Sequence, residues 1–327
     1  MKIFFYFLRE YDELAFCRQF SKEYGIDFEY TCDYPTPENV HLAAGCDAVS
    51  VTPCDMSEPM VEAFAGVGVK YICCRSIGYD HVDLSCAKRL GIRVSHVFYP
   101  PNGVANFAIM LMMMCLRNAG QILKRADVQD YTLKGKIGRD LSNCTVGVIG
   151  TGKIGTEVIK HLKGFGCRLL ANDIYENEEA GKIAEYVELP EMFRQADIIT
   201  LHANATNENY HLLDAEAFAQ MKDGTVIINT SRGKLIDSDA LIDALESGRV
   251  GSAALDVLEN ESGLYYYDRV GDVIENRQMA VLRSFPNVLL TAHTAFYTDE
   301  NVGYMVKYIF EAVDDFANGR DSVCEVK

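Results

Sequence analysis

Short apolar runs recur along the chain in the rhythm of strands alternating with helices. KIFFYFL at 2–8, AVSV at 48–51 and VKYIC at 69–73 are largely continuous, and polar, helix-like stretches separate them. Continuous runs of this length belong to strands buried on both faces, which is how a parallel sheet covered by helices reads. A second series follows: VGVIG at 146–150, CRLLAND at 167–173, DIITLHA at 197–203, TVIINTS at 225–231, SAALDVL at 252–258 and NVLLTAH at 287–293, with helical stretches between. These six runs predict a doubly wound parallel sheet ending near His293. The last amphipathic stretch, roughly 299–318, then has no sheet of its own and returns to the first series. The pattern therefore predicts two α/β domains, one inserted into the other: residues 1–99 with 298–327, and residues 100–297 between, with the cleft separating them as the active site.

Residues 109–116 (IMLMMMCL) are the most apolar stretch. They fall well short of the roughly 20 residues of a membrane span. Together with Val104 and Phe107 they predict a helix buried on nearly every face, between domains or subunits, which makes a homodimer the expected state. At 327 residues and 49% hydrophobic the chain is large enough for two cored domains, and with 8 prolines it shows no low-complexity linker. The formal charge of −16 argues against nucleic acid as a partner and disfavours small anions at long range, so a site for an anionic substrate needs its own arginine. Eleven cysteines without CxxC spacing, and no signal peptide, point to a reducing, cytoplasmic setting with no metal site.

The chemistry begins at Gly150, Gly152 and Gly155. A tight turn after a strand aims backbone N–H groups and a helix N-terminus at a pyrophosphate, and glycines let the phosphates come close. Asp173, ending the next apolar run at about the 20-residue spacing of a ribose-binding carboxylate, completes the fingerprint of a Rossmann domain. Its charge repels a 2′-phosphate, so the expected cofactor is NAD rather than NADP. Arg232 follows the run TVIIN, where α/β sheets carry ligand loops; by position alone it is equally an anion clamp or a surface ion-pair partner. His293 follows NVLL and can exchange a proton near neutral pH. Glu261, beyond SAALDVL, would stabilise a nearby imidazolium. Taken singly, His293 also reads as an ordinary histidine and Glu261 as part of an acidic run with Glu259.

VGVIGTGKIG, INTSRGKLID, AALDVLENE and NVLLTAHTAFYT stand in the order found in the D-isomer-specific 2-hydroxyacid dehydrogenases, and CRSIGYDHVDL and FYPPNGVANFA match family segments nearer the N-terminus. The chain resembles the D-lactate dehydrogenase branch over nearly its full length. The resemblance implies a flavodoxin-like substrate domain around the NAD-binding domain. It implies that Arg232 holds the substrate carboxylate, His293 is the acid-base catalyst and Glu261 tunes the histidine. Ile77 and Gly78 match a loop whose N–H groups bind the carboxylate. Tyr99 and Phe296 match pocket walls, and Thr52 falls in a segment that lines the side-chain pocket. Lys153, Ile154, Ala203, Asn204, Asn209, Thr230 and Ser231 match cofactor contacts, and Asp256 matches a contact to the nicotinamide carboxamide. The chain departs from the pattern at Ala292 and Asn204, where prolines are usual, and at Asn106, usually acidic. A lost proline frees φ and loosens a loop, which bears on how His293 is held.

The resulting expectation is an NAD-dependent dehydrogenase reducing a 2-oxo acid, pyruvate first, to the D-2-hydroxy acid, here D-lactate, in fermentation or in supplying cell-wall precursors. Thr52, smaller than the aromatic often found there, keeps open a hydroxyisocaproate or phenyllactate type acting on larger acids. The tyrosine run at 265–267 reads as loop packing. An NAD-sensing binding protein or co-repressor is the alternative of another class, and absence of turnover with every 2-oxo acid would favour it.

Overall fold

The computed structural model describes residues 1–261 and 263–326. The chain divides into two compact units, one formed by Met1–Pro100 with the chain from Tyr297 onward, the other by Pro101–Phe296. Both are parallel α/β sheets.

In the first unit β1 (Lys2–Phe5), β2 (Asp27–Tyr30), β3 (Ala48–Val51), β4 (Tyr71–Cys74) and β5 (Arg93–Ser95) form a five-stranded sheet in the order β2-β1-β3-β4-β5. All residues of β3 and β4 are buried, as continuous apolar runs require. Phe4, Val49, Val51, Ile72, Phe64 and Val61 are among the residues that fill one face. The closing helix, Asp299–Ala317, packs on the helix Leu14–Tyr24 within this unit, with Phe310 stacked on Tyr24 and tilted against Phe5 and Phe20. Arg75, only 1% exposed, ties the carboxyl ends of three strands together. Its guanidinium donates to the carbonyls of Tyr6 and Phe7, to the carbonyl and hydroxyl of Ser50, and to Glu13 at 3.1 Å. A buried cation persists only when paired and hydrogen-bonded in this way.

The second unit holds a sheet of seven strands rather than the six read from the sequence. They are β6 (Thr145–Ile149), β7 (Arg168–Asn172), β8 (Glu185–Tyr186), β9 (Ile198–Leu201), β10 (Thr225–Asn229), β11 (Val250–Leu255) and β12 (Val288–Leu290), in the order β12-β11-β10-β9-β6-β7-β8. The extra strand is a two-residue edge, Leu170 pairing with Glu185 and Ala171 with Tyr186; nothing that short leaves an apolar run. The order reverses between β9 and β6, so a crevice opens at the carboxyl ends of those strands, where α/β sheets take ligands. Helix Asn102–Leu116 covers one face, packing on β10 and β11 with Ala105, Ala108, Leu111 and Met112 buried. Among the described residues no single helix is long and apolar enough to cross a membrane, and all eleven cysteines are free thiols.

Candidate active site

Three glycines follow β6, each for a different reason. Gly150 has φ +92, and a Cβ there would lie 2.5 Å from the Ala203 amide nitrogen. Gly155 is fixed by packing, since its Cβ would lie 1.8 Å from the Gly150 carbonyl oxygen. Gly152 is required by neither. Its φ is −64, and nothing lies within 4 Å of where its Cβ would be. The space beside it, at the N-terminus of helix Lys153–Leu162, is what a pyrophosphate needs. Lys153 is exposed and Ile154 half-buried at the start of that helix.

Asp173 lies just beyond β7 with its carboxylate already oriented, for the Thr151 amide donates to Oδ2 at 2.5 Å and the Thr151 hydroxyl at 3.1 Å. Ile174 and Tyr175, both exposed, follow it directly; two exposed apolar residues after a strand leave no distinctive signal in the sequence. Ala203 ties the glycine turn to the next loop, its carbonyl accepting from the Ser231 hydroxyl. The Thr230 hydroxyl is buried without a hydrogen-bond partner, an acceptor-donor left for a ligand group. Asn209 is turned inward: its side chain donates to the Asn204 carbonyl at 2.7 Å and accepts from the Thr206 amide at 2.7 Å, closing its own turn. Gly152, the oriented Asp173 and the unpartnered Thr230 fit a dinucleotide.

The carboxyl ends of β10, β11 and β12 are neighbours, with Asn229, Leu255 and Leu290 in one register row. Arg232, Glu261 and His293 stand on the loops that leave them. Glu261 accepts from the Leu258 amide through Oε2 at 2.7 Å, and its Oε1 lies 2.6 Å from His293 Nδ1. The carboxylate is held by its own loop before it meets the imidazole. Because it can only accept, Nδ1 carries the hydrogen and Nε2 is left to exchange a proton. Gly233 couples the arginine's loop to the same segment, since its Cβ would lie 2.0 Å from the Leu258 carbonyl carbon. The buried Asn229 side chain, donating to the Arg232 carbonyl and accepting from the Ser231 amide, shapes the turn that presents the guanidinium.

The histidine loop is organised by Asp256. Its fully buried carboxylate accepts from the Thr291 hydroxyl at 2.7 Å, the Thr294 amide at 2.8 Å and the Ala295 amide at 2.9 Å; its carbonyl accepts from the His293 amide at 2.6 Å. Burial raises the Asp256 pKa against these donors. Three of the roughly four acceptor positions of its two oxygens are filled from within the protein by these donors. Ala292 and His293 are both left-handed, at φ +52 and +55, and the Tyr266 hydroxyl donates to the His293 carbonyl at 2.8 Å. Proline cannot reach that φ. The missing proline therefore permits a different backbone, which hydrogen bonds hold at several points, rather than merely loosening the loop.

In the first unit, Thr52 follows β3, and Ile77 and Gly78 follow the neighbouring β4. The Thr52 hydroxyl is buried without a hydrogen-bond partner, and the residue is 5% exposed. The Ser76 hydroxyl donates to the Gly78 carbonyl at 2.6 Å, shaping a short turn. Tyr99 of this unit and Phe296 of the other are each half-buried.

Residues 109–295 match the family model described as the NAD-binding domain of the D-isomer specific 2-hydroxyacid dehydrogenases. An "aromatic 2-oxoacid reductase" of Clostridium sporogenes is 41% identical over 97% of this chain and 96% of its own. A D-lactate dehydrogenase of Escherichia coli is 42% identical over 92% of both chains. The solved apo-structure of D-lactate dehydrogenase from Escherichia coli superposes with a TM-score of 0.88 at 38% identity, covering 100% of each chain.

Proposed function

The chain belongs to the D-isomer specific 2-hydroxyacid dehydrogenases and is an NAD-dependent oxidoreductase acting on D-2-hydroxy acids; we propose that it reduces pyruvate to D-lactate, with Arg232, Glu261 and His293 as its reacting set. The observation that carries the assignment of roles is the 2.6 Å contact between Glu261 Oε1 and His293 Nδ1, on a loop that Gly233 locks to the one bearing Arg232.

Gly150, Gly152 and Gly155 would seat the pyrophosphate, Asp173 the adenosine ribose, and Asp256, Thr230 and Ser231 the nicotinamide end. NAD, when bound, supplies or accepts the hydride. Arg232 takes the substrate carboxylate through two parallel hydrogen bonds, which orients the keto group as well as attracting the acid. Protonated His293 gives its Nε2 proton to the keto oxygen as that oxygen gains charge. Glu261 fixes the ring through Nδ1 and stabilises the imidazolium before transfer.

Thr52 supports a second reading of the substrate. A small residue there leaves room for a larger side chain, and the similarity to an aromatic 2-oxoacid reductase points the same way. NADH oxidation at 340 nm with pyruvate, 2-oxobutyrate, 2-oxoisocaproate and phenylpyruvate, with chiral analysis of products, separates the two. The highest kcat/KM on pyruvate with D-lactate formed upholds the first reading; a preference for phenylpyruvate or 2-oxoisocaproate replaces it with the second.

We also propose that the enzyme works as a homodimer in a reducing compartment. Tyr131, Leu133 and Ile137 are 76%, 88% and 91% exposed, close in sequence to one another and to exposed Leu123 and Val128. Large apolar side chains exposed along one stretch of chain are what a second copy would cover. Light scattering after size exclusion should give twice the chain mass for the parent and a monomer for a Leu133→Asp, Ile137→Asp double variant; a monomeric parent would refute the dimer.

A further inference from the structure

We infer that Tyr186, on the edge strand β8, is a positioning residue for cofactor selection, acting through Thr151 on the carboxylate of Asp173. This rests on reading Asp173 as the group that meets the adenosine ribose.

A single line of hydrogen bonds runs through three hydroxyl or carboxylate groups far apart in sequence. The Asn177 amide donates to the Tyr186 phenol oxygen at 2.8 Å, the phenol donates to Thr151 Oγ1 at 2.8 Å, and that hydroxyl donates to Asp173 Oδ2 at 3.1 Å. Every link points the same way, ending on the one group that only accepts. Such a chain is polarised along its length and strongest at its charged end. Thr151 is 2% exposed, and its carbonyl accepts from the Thr156 hydroxyl at 2.7 Å, so the residue is gripped on both sides. Its amide adds the second bond to Oδ2, at 2.5 Å.

The consequence falls on the other oxygen. Oδ2 is occupied twice from within the protein, whereas among the described residues Oδ1 receives only the Tyr175 amide at 3.3 Å. One carboxylate oxygen is thus turned into the protein and the other left to accept from a ribose diol. A carboxylate fixed in this way binds a diol without having to be ordered first and stays where it opposes a 2′-phosphate. If the Tyr186 oxygen is removed, Thr151 Oγ1 loses its donor and is free to rotate away from Oδ2. The carboxylate then gains freedom that NADH binding must remove. NADPH, which gains nothing from a fixed carboxylate, should be affected less.

Binding, measured by isothermal titration calorimetry with NADH and NADPH, tests this on Tyr186→Phe, Thr151→Val, Thr151→Ser and Asp173→Asn. Tyr186→Phe is expected to weaken NADH by roughly 3- to 10-fold, the size of one hydrogen bond, and NADPH by less than about 2-fold, so that the preference falls. Thr151→Val, which keeps the shape and removes the hydroxyl, should lower the preference as much, and Thr151→Ser should retain it. Asp173→Asn should lower it further than any of them. If Asp173→Asn lowers the preference while Tyr186→Phe and Thr151→Val both leave it within about 2-fold of the parent, the relay is wrong and the ribose assignment stands. If Asp173→Asn also leaves it unchanged, the ribose assignment fails and takes the relay with it. Should Tyr186→Phe not fold, the threonine pair decides the matter alone.

Discussion

His293 carries its imidazole on a backbone that L-residues seldom adopt. Two consecutive non-glycine residues at positive φ, Ala292 and His293, cost about 1–2 kcal/mol each, and they persist because their surroundings leave no alternative. Asp256 grips the loop through its carbonyl and carboxylate, Tyr266 through the His293 carbonyl, and Glu261 through the ring. The substitution that restores the usual residue of the family should therefore be harmful here. Ala292→Pro forces φ near −65° at a site that sits at +52, and kcat should fall at least about 10-fold while NADH affinity changes little. Parent-like turnover in that variant would mean that the loop readily takes another form and that the left-handed backbone is incidental.

At the level of elements, the site is built by three loops leaving adjacent parallel strands, and close packing between loops does the positioning. Glu259 anchors the Glu261 segment to the start of helix Ser238–Glu246, accepting from the Ser238 amide and hydroxyl and lying 2.7 Å from His211 Nε2. Gly233→Ala would drive a methyl group into the Leu258 backbone. Overpacking of this kind costs about 1–3 kcal/mol, so Tm should drop by roughly 2–10 °C with most activity lost. Gly152→Ala makes the contrast: its Cβ meets nothing in the protein, so Tm should stay within about 1 °C of the parent while NADH binding weakens severely. A normal Kd in Gly152→Ala would place the pyrophosphate elsewhere. Much of this architecture was legible in the sequence, because buried parallel strands leave continuous apolar runs and ligand loops follow them. The two-residue β8 was not, since pairing of Leu170 and Ala171 with Glu185 and Tyr186 needs no pattern of its own. Nor was the relay through Tyr186, because its partners are joined only by folding.

The molecule as a whole carries a formal charge of −16, a repulsive background for a small anion against which we propose that Arg232 supplies the local attraction. Its acid stability should depend on His202, whose Nε2 lies 2.9 Å from the Thr200 hydroxyl. Burial pushes the His202 pKa down to about 3, against about 6.5 in an unfolded chain. The unfolded state therefore binds the proton first: this contribution is complete above about pH 6.5 and is lost as pH falls toward 3, by at most about 1.4 kcal/mol per pH unit. Urea midpoints of the apo-protein should decline between pH 6.5 and 4, and His202→Asn should make that decline shallower; an unaltered slope would mean that the ring takes up its proton without unfolding. The central claim, that His293 is the proton donor beside an arginine-held acid, is met most directly by kcat for His293→Ala under saturating NADH and 2-oxo acid, with NADH affinity measured alongside. Turnover should fall by at least about 100-fold, in line with the loss of a general acid, while the NADH Kd stays within about 3-fold of the parent. A variant that binds NADH and still turns over at near-parent rate would contradict the account at its base.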